Sequence, residues 1–309
     1  MTEHLVHWDD VKARRQERGH LAGTWRDLGS AAGSLNVGVQ RIEIDPCKWS
    51  TPVHVQGAEE EIFFVLGGSG VSWQDGTTYE VRPGDCIVHC AGTEAHTLLA
   101  GMEGLDVLAF GMRVWTELGY LPRAGVGWLG SAWVDAGGGD HPWKREVEAG
   151  EPQAGEAQPR PANIVNVDDL ELEEWVPGGD IGISTTWIAR NAGAELTGLN
   201  LDIIHPGKRN GIKHIHSAEE ELFVVLEGDG TFYLGDEEHP VRAGHVVSVP
   251  PGGQKGHCFR AGDNGMKVLL YGTRDPNDIA YYPESKKIFF RGLGVITRIE
   301  ELDYLDGEI

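Results

Sequence analysis

The 309-residue sequence has only four cysteines, which are too few and too scattered for a disulfide framework. No stretch approaches the roughly 20 apolar residues that a membrane-spanning helix needs. The first ten residues, MTEHLVHWDD, lack the basic start and the apolar run of a secretory signal. These absences predict a cytoplasmic protein with reduced thiols and no membrane partner.

Basic residues are also scarce, because 26 Lys and Arg stand against 48 Asp and Glu, which gives a formal net charge of −22. A surface of this sign repels phosphate backbones, and no stripe of Lys and Arg overrides it locally. We therefore expect no nucleic-acid partner. The remaining composition, 40% hydrophobic and 24% charged, is that of a globular chain long enough for two domains.

Glycine is abundant, with 44 residues, and stands beside short runs of Val, Ile, Leu, Phe and Tyr. This pattern is typical of many short strands joined by tight turns. One unit occurs twice along the chain, with order, spacing and residue type in agreement over about 60 positions. The paired segments are 54–70 with 214–230, 81–101 with 241–262, and 100–113 with 261–274. The duplication predicts two similar all-β domains.

We predict an N-terminal barrel with a short arm over residues 1–120, a linker over 121–164, a C-terminal barrel over 165–285 and a tail over 286–309. The linker is rich in Gly, Pro, Ala and Glu, a composition that cannot build a core, so we expect it to lie extended on the surface.

Four tryptophans near the linker are interpreted as anchors between the domains rather than as a platform for an aromatic ligand: Trp115, Trp128, Trp133 and Trp143. Few helices are expected, and the candidates are the short segments 7–18 and 168–175.

A candidate metal site lies in the second copy. In a strand, His214 and His216 project to the same side, with alpha carbons roughly 6.6 Å apart, so both imidazoles can meet one ion with bonds of roughly 2.1 Å. Three acidic residues follow at 219–221, and a carboxylate beside neutral imidazoles suits a divalent first-row metal. His257 comes from a separate strand after the turn at 250–253.

These residues resemble the two sequence motifs of the cupin superfamily. The first motif, G-x5-H-x-H-x4-E-x6-G, is met except for its first glycine, because Gly207 stands one residue early, and the count to Gly228 selects Glu221. The second motif, P-x-G-x2-H, is met except that four residues separate Gly252 from His257. The resemblance implies a bicupin, with two tandem jelly-roll-like barrels and a metal held by His214, His216, Glu221 and His257.

The first copy departs from this pattern, since it offers His54, Gln56, Glu61 and His96 at the four positions. A glutamine carbonyl is a weaker donor than an imidazole. Three interpretations stay open for this copy: a second, weaker metal site, a structural barrel without a ligand, or a ligand pocket without metal. His89 and Cys90 are expected to pack rather than to bind metal.

The resemblance leaves the reaction open, because cupins share a metal cradle and not a chemistry. Four protein ligands on a six-coordinate ion leave two positions for a small-molecule substrate or for O2. The favoured expectation is a non-haem iron dioxygenase that uses the C-terminal barrel. The alternatives are a metal-dependent isomerase, epimerase or decarboxylase, and a non-catalytic small-ligand binding protein.

Iron is the favoured metal, although Mn, Ni, Zn, Co and Cu accept the same ligand set. The incomplete histidine set of the first copy argues against oxalate-type decarboxylation, for which the resemblance implies full sites in both barrels. Open sheet edges are compatible with a homo-oligomer.

Overall fold

The computed structural model describes residues 4–129, 132–135 and 140–308, without the side chains of residues 133 and 135. The first copy contains β1 (Leu5–His7), β2 (Arg14–Arg18), β3 (Leu21–Asp27), α1 (Leu28–Ala31), β4 (Val37–Ile44), β5 (Glu61–Gln74), β6 (Thr77–Val81), β7 (Asp85–His89), β8 (His96–Met112), β9 (Leu118–Leu121), β10 (Val126–Leu129) and β11 (Ala132–Asp135).

The connection carries α2 (Pro142–Glu148). The second copy contains β12 (Ile164–Asn166), β13 (Glu173–Gly178), β14 (Ile181–Thr186), α3 (Ile188–Asn191), β15 (Thr197–Ile204), β16 (Ile215–His216), β17 (Glu221–Leu234), β18 (Glu237–Arg242), β19 (His245–Val249), β20 (His257–Thr273), β21 (Ile279–Tyr282), β22 (Lys287–Phe290) and β23 (Val295–Arg298). Short 3-10 turns lie at Trp8–Asp10, Val167–Asp169 and Arg291–Leu293.

Two eight-stranded antiparallel sheets form the two barrels, as the duplication predicts. Their strand orders are β12-β7-β5-β8-β4-β3-β2, with β6 on β5, and β1-β19-β17-β20-β15-β14-β13, with β18 on β17. Two smaller sheets, β11-β10-β9 and β16-β21-β22-β23, accompany them. The predicted all-β class and the two tandem jelly-roll-like barrels are confirmed.

The first strand of each copy belongs to the sheet of the other barrel. β1 pairs with β19, with Leu5 opposite Val247, and β12 pairs with β7, with Ile164 opposite Ile87. The paired sequences LVHWDD (5–10) and IVNVDD (164–169) are similar, so this exchange extends the repeat at its start. The predicted boundary between residues 164 and 165 therefore falls inside β12. The N-terminal arm pairs with the C-terminal barrel and not with the N-terminal one.

Deleting residues 1–10 is therefore expected to destabilise the C-terminal barrel. The deletion removes β1 from the edge of β19 and uncovers the partly buried Val6, which packs against the core. We expect a loss of about 2–4 kcal/mol in the free energy of unfolding, measured by urea denaturation. The control deletes residues 302–309, whose described members are exposed. Equal midpoints for the two truncated proteins would contradict the exchange.

Alternation along the strands separates two kinds of core. In β5, Phe63 and Val65 face the barrel interior, whereas Ile62 and Phe64 face a cluster shared by both barrels. The interior of the second barrel holds Phe223, Val225, Phe232 and Val247 as buried core. Successive residues of one strand thus pack alternately into the barrel interior and into the contact between the barrels.

The motif glycine that follows each acidic run has a steric role. Gly68 and Gly228 have a positive φ of 79°, and an added Cβ would lie 2.2 Å from the carbonyl oxygens of Gly104 and Gly265. Each glycine lies beside a register shift between two long strands, where the backbones approach closely. A side chain at either position would displace the strand that follows the acidic run.

Both helix predictions are wrong. Segment 7–18 forms a strand, a 3-10 turn and the edge strand β2, and segment 168–175 contains the end of a 3-10 turn and the start of β13. Pairing with a neighbouring strand outweighs the helix propensity of these charged residues. In the part of the chain that is described, the α-helices are the three short ones given above, and no helix is long and apolar enough to span a membrane.

The connection between the barrels is fixed to the first barrel. Its Arg160 forms a two-pronged ion pair with the buried Asp85, at 2.7 Å for both bonds, and Glu151 accepts a hydrogen bond from Trp49. Trp143 of α2 packs on Trp25 of the first barrel with ring centroids 6.1 Å apart. The expected anchor between domains is therefore wrong for Trp143. The side chain of Trp133 lies outside the described residues.

Candidate metal centre

The four predicted ligands of the second barrel lie close together, grouped around Glu221. The Oε2 atom of Glu221 lies 2.7 Å from Nε2 of His257, 3.5 Å from Nε2 of His216 and 3.6 Å from Nε2 of His214. Ligand atoms at right angles around an ion, with bonds near 2.1 Å, lie about 3 Å apart. The ligand atoms of His214, Glu221 and His257 all lie within 4.8 Å of one another and fit a single ion, whereas His216 groups with Glu219 and Asp278, so its place in the ligand set stays a prediction.

Strand ends position these side chains. Glu221 begins β17 opposite Gly272, and His257 begins β20 opposite Leu234, so the two residues come from opposite ends of a long antiparallel strand pair that curves enough to bring them within 2.7 Å. His214 forms a β-bridge with His257, and His216 is opposite Ala280 of β21. Three separate segments thus hold the ligands, and their backbones are fixed by sheet hydrogen bonds before any ion binds.

Hydrogen bonds orient two of the imidazoles. Nδ1 of His214 lies 2.8 Å from the carbonyl oxygen of Ile212, and Nδ1 of His216 lies 2.6 Å from Oδ2 of Asp278. A proton on each Nδ1 leaves the Nε2 lone pair directed at the centre, the usual arrangement around metal-binding histidines. Sequence analysis missed Asp278, which belongs to no motif and lies 62 residues from its partner.

Electrostatics favour the metal-binding protonation states of Glu221 and His257, whereas the pKa of His216 is raised because Asp278 and Glu221 outweigh the effect of burial. Burial would raise the pKa of Glu221, but the neighbouring imidazoles of His214, His257 and His216 hold it well below its ordinary value, so the carboxylate is charged. Burial lowers the pKa of His257 and keeps its imidazole neutral. A carboxylate and neutral imidazoles are a suitable donor set for a divalent transition metal. The residues present therefore fit such an ion.

The first barrel brings three of its four predicted residues together. Oε2 of Glu61 lies 3.2 Å from Nε2 of His54 and 2.9 Å from Nε2 of His96. The side chain of Gln56 is nearby in the same cavity, and its Oε1 atom is buried without a hydrogen-bond partner among the described residues. A second, weaker metal site at these four residues stays a prediction.

His89, which was expected to pack, is stacked on His96 with ring centroids 3.7 Å apart and an interplanar angle of 2°. Its Nδ1 atom is hydrogen-bonded to Glu94, a residue that sequence analysis missed. Burial, together with the charges of His89 and His54, lowers the pKa of His96 to about 3. The imidazole of His96 is therefore neutral at physiological pH, as a metal ligand requires.

A further carboxyl group lies inside the second barrel. Asp202 of β15 is 8% exposed and accepts a hydrogen bond of 2.7 Å from the hydroxyl of Thr185. Burial, with a smaller contribution from the charge of Glu221, raises the pKa of Asp202 to about 6. The corresponding residue of the first barrel is Ile42, so the acidic group is specific to the second copy.

This shift predicts a pH-dependent gain in stability for Asp202→Asn in the metal-free protein. Because the pKa of Asp202 is higher in the folded state than in the unfolded state, the free energy of unfolding of wild type falls as pH increases from about 4 to about 6. It stays at this lower value at higher pH. At pH 7 the variant should be more stable by about 2–3 kcal/mol, and below pH 4 the difference should vanish. Urea denaturation across this range tests it, with the exposed Asp263→Asn as control; equal pH profiles would contradict it.

Comparison with known proteins agrees with this architecture. The family model described as Cupin domain matches residues 40–107 and 200–271. An oxalate decarboxylase variant from Bacillus subtilis is 15% identical, with 88% of this chain and 77% of that chain covered and a TM-score of 0.59. The oxalate decarboxylase formate complex from Lactobacillus farciminis is 14% identical, with coverages of 90% and 88% and a TM-score of 0.59. No curated protein matches the sequence.

The fold and the two histidine–carboxylate clusters thus define a duplicated β-barrel protein with candidate metal centres. Two regions of the chain thus match the cupin domain, and the fold is that of a bicupin.

Proposed function

We propose that this bicupin is a divalent-metal enzyme that acts on a small oxygenated molecule in its C-terminal barrel. The observation that carries the proposal is the convergence of His214, His216 and His257 on Glu221, each with its Nε2 atom within 3.6 Å of one carboxylate oxygen. The side chain of His214 is 24% exposed, so a small molecule can approach the centre from solvent.

We further propose a redox-neutral reaction, either decarboxylation or isomerisation. Asp202 supports this class, because a buried carboxyl group with a raised pKa can hold a proton near neutral pH and return it to a substrate. The similar solved structures support it as well, since their titles describe oxalate decarboxylases. Because Gln56 replaces one imidazole in the first barrel, we propose a substrate other than oxalate.

Each residue has a distinct part in the proposed chemistry. The ion, when bound, polarises a carbonyl or carboxylate oxygen of the substrate as a Lewis acid. His216 is oriented by Asp278, and His214 by the carbonyl of Ile212, which keeps both nitrogens directed at the centre. Asp202, with its pKa of about 6, takes up a proton from the substrate or returns one to it, and Phe223 and Phe259 exclude water beneath the site.

Manganese and iron are the metals to test first. One similar structure, 15% identical with a TM-score of 0.58, has a title that describes the Mn(II) centres of Bacillus subtilis oxalate decarboxylase. Iron is the metal of the dioxygenase alternative, and both ions accept three imidazoles and a carboxylate. Protein should be loaded with each metal separately.

The experiment is a comparison of substrate turnover in air and under nitrogen. Metal-loaded protein is incubated with small keto acids, hydroxy acids and hydroxy-ketones, and substrate loss, CO2 release and oxygen uptake are measured. We expect equal turnover in both atmospheres, with kcat reduced about 10²-fold or more in Asp202→Asn at unchanged metal content. Turnover only in air, with oxygen uptake, would instead establish the dioxygenase, and binding without turnover would overturn the enzyme assignment.

A further inference from the structure

A cavity of about 900 Å³ lies at the mouth of the N-terminal barrel, away from the proposed centre of the C-terminal barrel. Its floor includes His54, Gln56 and Glu61, and its rim includes residues of β9 and β10. This volume is at the upper end of the range for small-molecule sites. The cavity is therefore large enough for an organic ligand and not only for an ion.

Tryptophan side chains form much of the wall. Trp25, Trp128 and Trp143 line the cavity, and Trp25 and Trp143 meet edge to face. The connection between the barrels supplies Trp143 through α2, which is held by an ion pair of 2.7 Å between Arg123 and the fully buried Glu146. The aromatic wall is thus fixed before a ligand binds. Trp128 and Trp143, two of the tryptophans near the linker, thus line the cavity.

The polar groups of the lining are mostly acceptors. Asp27, Glu59, Glu61 and Glu117 contribute four carboxyl groups, whereas Arg113 is the one Lys or Arg in the lining. Arg113 already donates to Ser34 and Ser30.

Two acceptors in the lining stay available. Glu117 accepts from the backbone N–H groups of Gly57 and Ala58, and Glu61 is shared by two imidazoles. Glu59 accepts one backbone hydrogen bond, from Val114, through Oε1, which leaves Oε2 for a ligand. Oε1 of Gln56 is buried without a partner among the described residues. A ligand that donates hydrogen bonds would satisfy both atoms.

The second copy lacks several features of this site. By the register of the repeat, Trp25 corresponds to Thr185 and Gln56 to His216, and no counterpart of α2 follows the second barrel in the described residues. The duplication has therefore given one barrel a complete histidine set and the other an aromatic cavity.

We propose that the cavity of the N-terminal barrel binds a small organic cation, an amine or a quaternary ammonium compound with an aromatic or aliphatic body. Tryptophan faces attract cations, and the attraction grows when water is excluded. Glu59 and Gln56 accept hydrogen bonds from the ammonium group, and Trp128 and Trp143 contact the apolar body. The inference does not depend on the proposed reaction of the C-terminal barrel.

The test is isothermal titration calorimetry of the full chain with three phenols of similar size that differ in charge. Tyramine is the cation, 4-ethylphenol is the neutral molecule and 4-hydroxyphenylacetate is the anion. We expect tyramine to bind at least about tenfold more tightly than either of the others. Glu59→Gln should weaken tyramine binding about tenfold or more, and Trp143→Phe should weaken it less. The control Glu219→Gln changes the equivalent residue of the other barrel and should leave the tyramine affinity unchanged.

Several outcomes would overturn the proposal. Equal affinities for tyramine and 4-ethylphenol would show that charge is not recognised, and equal losses in Glu59→Gln and Glu219→Gln would place binding elsewhere. A His257→Ala variant, which removes a proposed ligand of the other barrel, should bind tyramine like wild type. If that variant loses tyramine binding, the ligand belongs to the C-terminal centre.

Discussion

His257→Ala is expected to lower the metal affinity of the C-terminal barrel by at least about 10²-fold, because it removes one of the four proposed ligands. The Nε2 atom of His257 lies 2.7 Å from Oε2 of Glu221. The remaining imidazoles cannot replace it, since His214 and His216 are fixed by their own hydrogen bonds. Elemental analysis after dialysis against a competing chelator measures the loss. Wild type should retain one tightly bound equivalent that the variant lacks.

The repeat supplies the matched control for this prediction. His96→Ala removes the corresponding imidazole of the N-terminal barrel, where Gln56 already weakens the donor set. It should leave the tightly bound equivalent in place. Circular dichroism of both variants checks that the barrels remain folded. Equal metal content in wild type and His257→Ala would remove His257 from the ligand set.

Glu60→Ala is expected to destabilise the protein by about 3–5 kcal/mol, because it empties a buried carboxylate site between the barrels. Glu60 is fully buried and accepts hydrogen bonds from the backbone N–H groups of Glu195 and Thr197, at 2.7 and 3.0 Å, and from the hydroxyl of Thr197. Without the carboxylate these donors have no partner. Urea denaturation should show the loss as a lower midpoint.

A buried glutamate of the second copy makes the corresponding contact with the first copy. Glu220 is also fully buried and accepts hydrogen bonds from the N–H groups of Leu35 and Asn36 in the first copy. Glu220→Ala should therefore cost a similar amount, and Glu60→Gln, which keeps one acceptor oxygen, should cost about half as much as Glu60→Ala. Glu80→Ala, on an exposed strand position, is the control. A change below about 1 kcal/mol in Glu60→Ala would show that these bonds do not hold the barrels together.

Neighbouring carboxylates in each acidic run, 59–61 and 219–221, thus project in opposite directions. Glu61 and Glu221 project into their own barrels, and Glu60 and Glu220 project into the contact between barrels, as alternation requires. Sequence periodicity predicts that neighbouring carboxylates face opposite sides. It does not say which side contacts another barrel, because that depends on pairing between distant segments.

The fold was predictable because the repeat is long and its strands alternate clearly. His214 and His216 followed from strand spacing, and Glu221 and His257 from the family motifs, even with two extra residues before His257. Asp278 and Glu94 were not found, because each acts through one histidine from a loop without a motif. The exchange of β1 and β12 was missed because three-residue strands give a weak periodic signal.

The contact between Trp143 and Trp25 was missed for a related reason. The composition of the connection predicted that it has no hydrophobic core, and this holds for most of it. However, a seven-residue helix within it places Trp143 against Trp25. Such a contact depends on where the connection passes over the barrel. Sequence alone gives that path no periodic signature.

The exchanged first strands also constrain synthesis. Leu5–His7 leaves the ribosome about 240 residues before its partner β19. At ordinary translation rates of about 5–20 residues per second, this strand waits at least about ten seconds with an unpaired backbone. The N-terminal barrel likewise cannot close until Ile164–Asn166 has been made. A nascent chain of this protein should therefore depend on chaperones most during that interval, and least once residue 249 has left the tunnel.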